Sequence, residues 1–164
     1  MRVFKQSNDL KALAVAGSYV VVIGWDMPAE TIRKHKVLGF ALQRKRHSDG
    51  EVFWLSGQKK FEKTNPDPEP GVPTSSYKHP IQSFQWADYS VSPEEKYTYR
   101  LVARQGEPDA LEDGESISLT VTCESIDNGK HAVHFNRGAI ASQEYARRFQ
   151  NRKPSEVGLA VTCP

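Results

Sequence analysis

The sequence holds two cysteines, Cys123 and Cys163, and two methionines. Two thiols cannot build a disulfide framework, so the expectation is a pair of reduced cysteines in a cytoplasmic protein. Long apolar runs are absent. The longest is Tyr19 to Ile23, cut off by Gly24-Trp25-Asp26, far short of the ~18 residues a membrane helix needs. Leu10 to Gly17 is weakly apolar, Lys11 interrupts it, and no cleavage pattern follows, so neither a span nor an export signal is read here. Phosphate-cradling loops of the G-x-x-x-x-G-K-[ST] and G-x-G-x-x-G kinds are missing, as is a G-x-S-x-G elbow. His131 and His134 are three apart, but on an extended chain they point to opposite faces, and no Cys or carboxylate set completes a metal shell beside them. The paired acids Glu94-Glu95 and Glu112-Asp113 fall in expected turns. No cofactor, no metal and no catalytic residue is expected.

What remains is a chain of 164 residues with 16 aromatics (7 Phe, 6 Tyr, 3 Trp) and a mean hydropathy of −0.60. That length suits one main domain, and the aromatics suffice for a core. The net charge of +2 is unevenly spread: +6 over residues 1–60, −7 over 61–124 and +3 over 125–164. No stretch is basic enough to assert nucleic-acid binding. Arg44-Lys45-Arg46 is the densest basic run, read either as a solvated strand end or as an anion-contacting patch.

The apolar period is mostly two. Tyr19–Met27 alternates and stops at Pro28, which has no N–H for a ladder. Val37–Arg46 alternates through Leu38, Phe40 and Leu42. Asp49-Gly50 then joins it to Glu51–Leu55, a hairpin signal. Residues 64–80 carry five prolines and read as a long, solvent-exposed loop. Extended structure returns over Ile81–Val91, Tyr97–Ala103 and Ile117–Thr122, with Gly106–Gly114 as an acidic turn between the last two. Asn128-Gly129 signals a further hairpin into Ala132–Phe135. Ala141, Tyr145 and Phe149 recur every four residues, which predicts a helix over Ile140–Gln150, with Arg147, Arg148, Arg152 and Lys153 at its end before Pro154. The expected class is all-β, a sandwich with one C-terminal helix, with a closed barrel as the alternative. The expected units are a sandwich over 10–126, a hairpin and connecting helix over 127–153, and a tail over 154–164.

Several of these segments resemble fibronectin type III strands. Val21-Val22-Ile23-Gly24-Trp25 before Pro28 is similar to that family's second strand with its core tryptophan. Val37-Leu38-Gly39-Phe40-Ala41-Leu42 is similar to the third, and Pro93 to Ala103 to the sixth with its tyrosine corner. Ser116–Thr122 fits the last. The resemblance implies a fibronectin type III or immunoglobulin-like sandwich. Independently of it, Trp25 is expected as the plug between the sheets, with Phe40 beside it. Tyr97 or Tyr99 is expected to hydrogen-bond back to the turn at Pro93, because a buried phenol needs a partner.

A second resemblance lies further on. Residues 131–138 and 141–149 are similar to the segment that joins such a sandwich to the catalytic part of bacterial phospholipase D-like proteins, and the chain ends where that part would begin. That catalysis uses His-x-Lys-x4-Asp. None of the five histidines (35, 47, 79, 131, 134) is followed two residues on by lysine, so no active site carries over. The implied role is non-catalytic: a recognition or docking domain for a phospholipase D-like catalytic domain or another protein, meeting nucleic acid or phospholipid only through that partner. Arg147, Arg148, Tyr145 and Phe149 would be the coupling residues. The alternative is a free-standing carbohydrate- or protein-binding adhesion module, in which Trp54, Phe61, Tyr77 and Trp86 around the proline-rich loop stack on sugars.

Overall fold

The computed structural model describes residues 1–57, 59–64, 72–127 and 129. Among these described residues there are ten strands: β1 (Arg2–Ser7), β2 (Leu10–Ala16), β3 (Val21–Asp26), β4 (Val37–Arg46), β5 (Val52–Trp54), β6 (Ser56–Gly57), β7 (Thr74–Ser75), β8 (Gln85–Asp88), β9 (Lys96–Glu107) and β10 (Ala110–Thr122). One short helix, α1 (Ala29–Lys34), joins β3 to β4. Sheet A has the order β1-β2-β3-β8 and sheet B the order β10-β9-β4-β5, with every pairing antiparallel. The chain crosses from A to B after β3, returns at β8, and crosses again to β9. This is the fibronectin type III/immunoglobulin-like sandwich, with β1 added at the edge beside β2.

The two sheets close over alternate residues of each strand. Leu10, Ala12, Ala14 and Ala16 of β2 and Val21, Ile23 and Trp25 of β3 face Phe40 and Leu42 of β4, Tyr97, Tyr99 and Leu101 of β9, and Leu119 and Val121 of β10. Trp25 is 6% exposed, and its ring meets Phe40 edge-on at 5.5 Å. The Ser92 N–H donates to the Tyr97 hydroxyl at 3.1 Å, tying β9 to the turn before it. Two positions need positive φ or a bare Cα. Gly50, φ +75°, closes the β4–β5 hairpin. Gly39, φ +155°, lies where a Cβ would stand 2.7 Å from the Ile81 carbonyl oxygen, because Phe40 and Ile81 exchange two backbone hydrogen bonds of 2.8 Å.

The structure adds one strand to the sequence reading and corrects two of its expectations. The weakly apolar stretch Leu10–Gly17 contains a central strand whose inward residues are mostly alanine, so its period is masked by small side chains. The acidic region 106–114 is not a turn. β9 and β10 pair through it, Leu111 with Gly106 and Asp113 with Arg104, leaving Pro108-Asp109 as the loop. The returning part of the proline-rich segment is packed rather than solvated: Ser76 is fully buried, and its hydroxyl accepts the Leu42 N–H at 3.1 Å. The expected hairpin arm 132–135, the helix 140–150 with Arg147, Arg148, Tyr145 and Phe149, and the tail 154–164 all lie outside the described residues.

Candidate functional site

Arg44 opens the basic run, yet it is neither a solvated strand end nor an anion-contacting patch. It alternates into the core face of β4 and is 3% exposed. Its guanidinium donates to Asp88 of β8 at 2.9 Å and to the Ser90 hydroxyl at 2.6 Å. The Phe53 and Tyr97 rings lie 4.5 and 5.2 Å from it. Asp88 also accepts the Tyr99 hydroxyl at 2.9 Å and both the N–H and hydroxyl of Ser90. One carboxylate of sheet A thus gathers donors from two strands of sheet B. Burial, then the Asp88 charge, push the Tyr99 phenol far above its ordinary value, so Tyr99 is a fixed donor. The network ties the two sheets together, with Arg44 and Asp88 buried in it and Ser90 exposed at its rim.

A second buried cation organises the outer face of sheet B. Arg104 is 4% exposed; it donates to Asp113 and to the Leu111 carbonyl, and its guanidinium lies 3.8 Å from the Tyr77 ring centre. Tyr77 in turn lies 4.5 Å from Trp54. This stack pins the excursion between β5 and β8 onto the sheet, helped by a Lys63–Asp109 ion pair at 2.9 Å. The sugar-platform expectation named four aromatics around this excursion. Trp54, Phe61, Tyr77 and Trp86 are all half-buried; Phe61 packs on His79 and Trp86 on the core. Burial, reinforced by Lys60 and Lys78, lowers the His79 pKa below the usual histidine range. A neutral ring suits its Nδ1, which accepts the Phe61 N–H at 3.2 Å. The exposed aromatics among the described residues are Phe4, Phe53, Phe84 and Tyr89.

A cleft of about 400 Å³ opens at the end of the sandwich where α1 leaves β3. Asp9, from the β1–β2 turn, and Thr31 and His35, from α1 and its end, line one side, while Gln105 and Glu115 line the other. A bulge builds the second wall. Between Asp113 and Ser116, β10 spends one more residue than β9 does opposite, and such an extra residue re-aims a side chain. Here it sets Glu115 in the cleft wall, and a Cβ on Gly114 would stand 2.5 Å from the Gln105 amide oxygen. The Thr31 hydroxyl donates to Asp9 at 2.6 Å. One carboxylate oxygen of Glu115 is buried and has no hydrogen-bond partner among the described residues. An orphaned buried carboxylate oxygen is costly, and Glu115 and Asp9 together bring two carboxylates to the cleft. The arrangement accepts a cationic or N–H-bearing group. Among the described residues no cluster of three His, Cys, Asp or Glu side chains can hold a metal ion.

No protein-family model matches the chain, and no curated protein matches it. Solved structures do. One is the FN5 domain of Drosophila Lar, at 13% identity and a TM-score of 0.39, the match covering 68% of this chain and 89% of that one. Another is a computer-based redesign of a β-sandwich protein, at 17% identity and a TM-score of 0.43, covering 72% and 90%. The chain is similar to both; its own strand order and register define its sandwich fold.

Proposed function

We propose that the chain is a non-catalytic recognition module that docks a protein partner at the end cleft, seating a basic side chain of that partner against Glu115. The observation that carries this reading is Glu115, one of whose oxygens is unpartnered among the described residues, in the wall of a cleft with room for a side chain. The partner we assign is a phospholipase D-like catalytic domain; the support is the similarity of residues 131–149 to the connecting segment of such proteins. The compartment we assign is the cytoplasm, consistent with a free, buried Cys123. No described helix is long and apolar enough to cross a membrane.

Titration calorimetry of the full chain against a domain carrying His-x-Lys-x4-Asp tests the reading. A complex at or below tens of micromolar is expected. Glu115→Gln should weaken it by roughly 10- to 100-fold, the worth of one hydrogen bond to a charged group. No complex at those concentrations overturns the partner, and an undiminished Glu115→Gln complex overturns the site.

A further inference from the structure

The outer face of sheet A is apolar where such a face is ordinarily polar. Its register sets three rows across the strands. Arg2, Val15, Val22 and Ala87 form the first; Phe4, Leu13, Gly24 and Gln85 the second; Gln6, Lys11 and Asp26 the third. Phe4 is 60% exposed, Val22 42%, Leu13 37% and Val15 36%. These four large apolar side chains are cross-strand or diagonal neighbours, so they make one patch. The opposite outer face differs: Ala41 and Val102 of sheet B are buried, and Tyr77 is stacked on Arg104 beside them.

We propose that this patch docks on the same patch of a second copy of the chain, in a two-fold symmetric dimer centred on Leu13. The placement of charge selects that occupant. Arg2 lies one strand and one row from Leu13 in one direction, and Asp26 lies one strand and one row from it in the opposite direction. Strands ~4.8 Å apart and rows ~6.8 Å apart put both about 8 Å from Leu13. A two-fold axis in the interface, through Leu13 and at right angles to the Arg2–Asp26 line, therefore exchanges the two. Arg2 of each copy then faces Asp26 of the other, twice per dimer. A uniformly basic or acidic partner would meet a like charge on this face. The same axis crosses the two sheets steeply, at roughly 70°, close to the orthogonal class of sheet packing. The shapes agree with it. Leu13 meets Leu13, and Val15 comes over Gly24 of the other copy. There a bare Cα leaves a hollow: among the described residues an added Cβ would meet only the Phe84 carbonyl oxygen, 4.0 Å away. Phe4 comes against Leu13 and Lys11 of the other copy, with the ammonium near the ring. Area sets the strength. Four strands and three rows cover roughly 400 Å², about half of what each partner of a standard complex buries, so the dimer is weak and reversible. It uses neither Glu115 nor a second protein species, so its failure and that of the end cleft are independent.

Sedimentation equilibrium of the full chain tests it. The average mass should rise from 18.4 kDa towards twice that value as the concentration climbs from about 10 μM to about 1 mM, with a dissociation constant on the order of 100 μM. Leu13→Lys sets two ammonium groups against each other on the axis and should hold the chain at the monomer mass throughout. Arg2→Asp makes both symmetric pairs repulsive and should weaken the dimer by roughly fivefold or more. Arg2→Asp/Asp26→Arg should restore it to within about twofold of the wild type. All three positions are exposed; should Leu13→Lys lower the urea midpoint, the charge exchange alone decides. A monomer mass at about 1 mM, a concentration well above that dissociation constant, overturns the proposal: strong binding of an apolar dye then assigns the patch to a different partner, and weak binding to another part of this chain. A dimer indifferent to Leu13→Lys, or a charge exchange that fails to restore it, places the contact elsewhere and also overturns it.

Discussion

Replacing Asp88 by asparagine keeps the side chain's shape but only one of the two acceptor oxygens, Oδ1 serving Ser90 and Oδ2 serving Tyr99, and leaves the Arg44 guanidinium buried without its counter-charge. Breaking a buried pair from one side costs about 3–5 kcal/mol. Glu51, 3.8 Å from the guanidinium and half exposed, supplies some compensation, so the lower end, ~3 kcal/mol, is expected. Domains of this kind have ~5–15 kcal/mol in total, and about 3–4 °C of melting temperature attends each kcal/mol at this size, so a fall of roughly 10 °C follows. Arg44→Met/Asp88→Asn removes both charges, retains the apolar contact with Phe53 and Tyr97, and should recover at least half of the loss. The assay is urea unfolding followed by tryptophan fluorescence on the wild type, both single variants and the double. A coupling below ~0.5 kcal/mol, the scatter of independent sites, would refute the argument that the two sheets are tied by this charge pair.

Four further outcomes are expected. Tyr97→Phe strips the Ser92 N–H of its acceptor and should cost ~1 kcal/mol in the same unfolding assay. Gly39→Ala drives a Cβ against the Ile81 carbonyl and should cost ~1–3 kcal/mol, with faster hydrogen exchange at the Phe40 and Ile81 amides. Tyr77→Ala removes the ring between Arg104 and Trp54; limited proteolysis should then cut the 57–80 excursion sooner, while the sandwich stays intact. Burial pushes the Cys123 thiol up to about 11. In a Cys163→Ser chain its alkylation rate should therefore keep climbing about tenfold per pH unit beyond pH 9 instead of levelling off. Because the folded state holds this proton more tightly than the unfolded chain, the associated stability is intact below about pH 9 and is lost as the pH rises towards 11.

The strands that read clearly in the sequence are those whose inward residues are large. Phe40 and Leu42, and Tyr97, Tyr99 and Leu101, announce β4 and β9 because branched and aromatic side chains alternate with polar ones. β2 hides because Ala12, Ala14 and Ala16 fill the thin part of the core, and alanine carries little periodic signal. β1 hides because its two apolar residues, Val3 and Phe4, are adjacent and so face opposite ways, Val3 against the core and Phe4 outward. Arg44 and Arg104 show the larger failure. A charge in a strand reads as solvent-facing, and only the fold brings Asp88 and Asp113 to neutralise them. The cleft was illegible for a similar reason: Asp9, Thr31 and Glu115 lie far apart along the chain, and Glu115 owes its position to a one-residue irregularity that no composition reports.

The cover along the outer margin of β4 is a patchwork. β5 takes positions 43–45, the Leu55 N–H and the Ser76 hydroxyl serve Leu42, and Ile81 serves Phe40. Four short pieces drawn from thirty residues of chain, 52 to 81, stand where one continuous neighbour strand would ordinarily run. A stray polypeptide approaching that margin finds no uninterrupted ladder to copy, and Gly39 sits too close to the crossing backbone to admit one. The arrangement that makes this segment hard to read is also what denies amyloid-like growth a template on that side of the molecule.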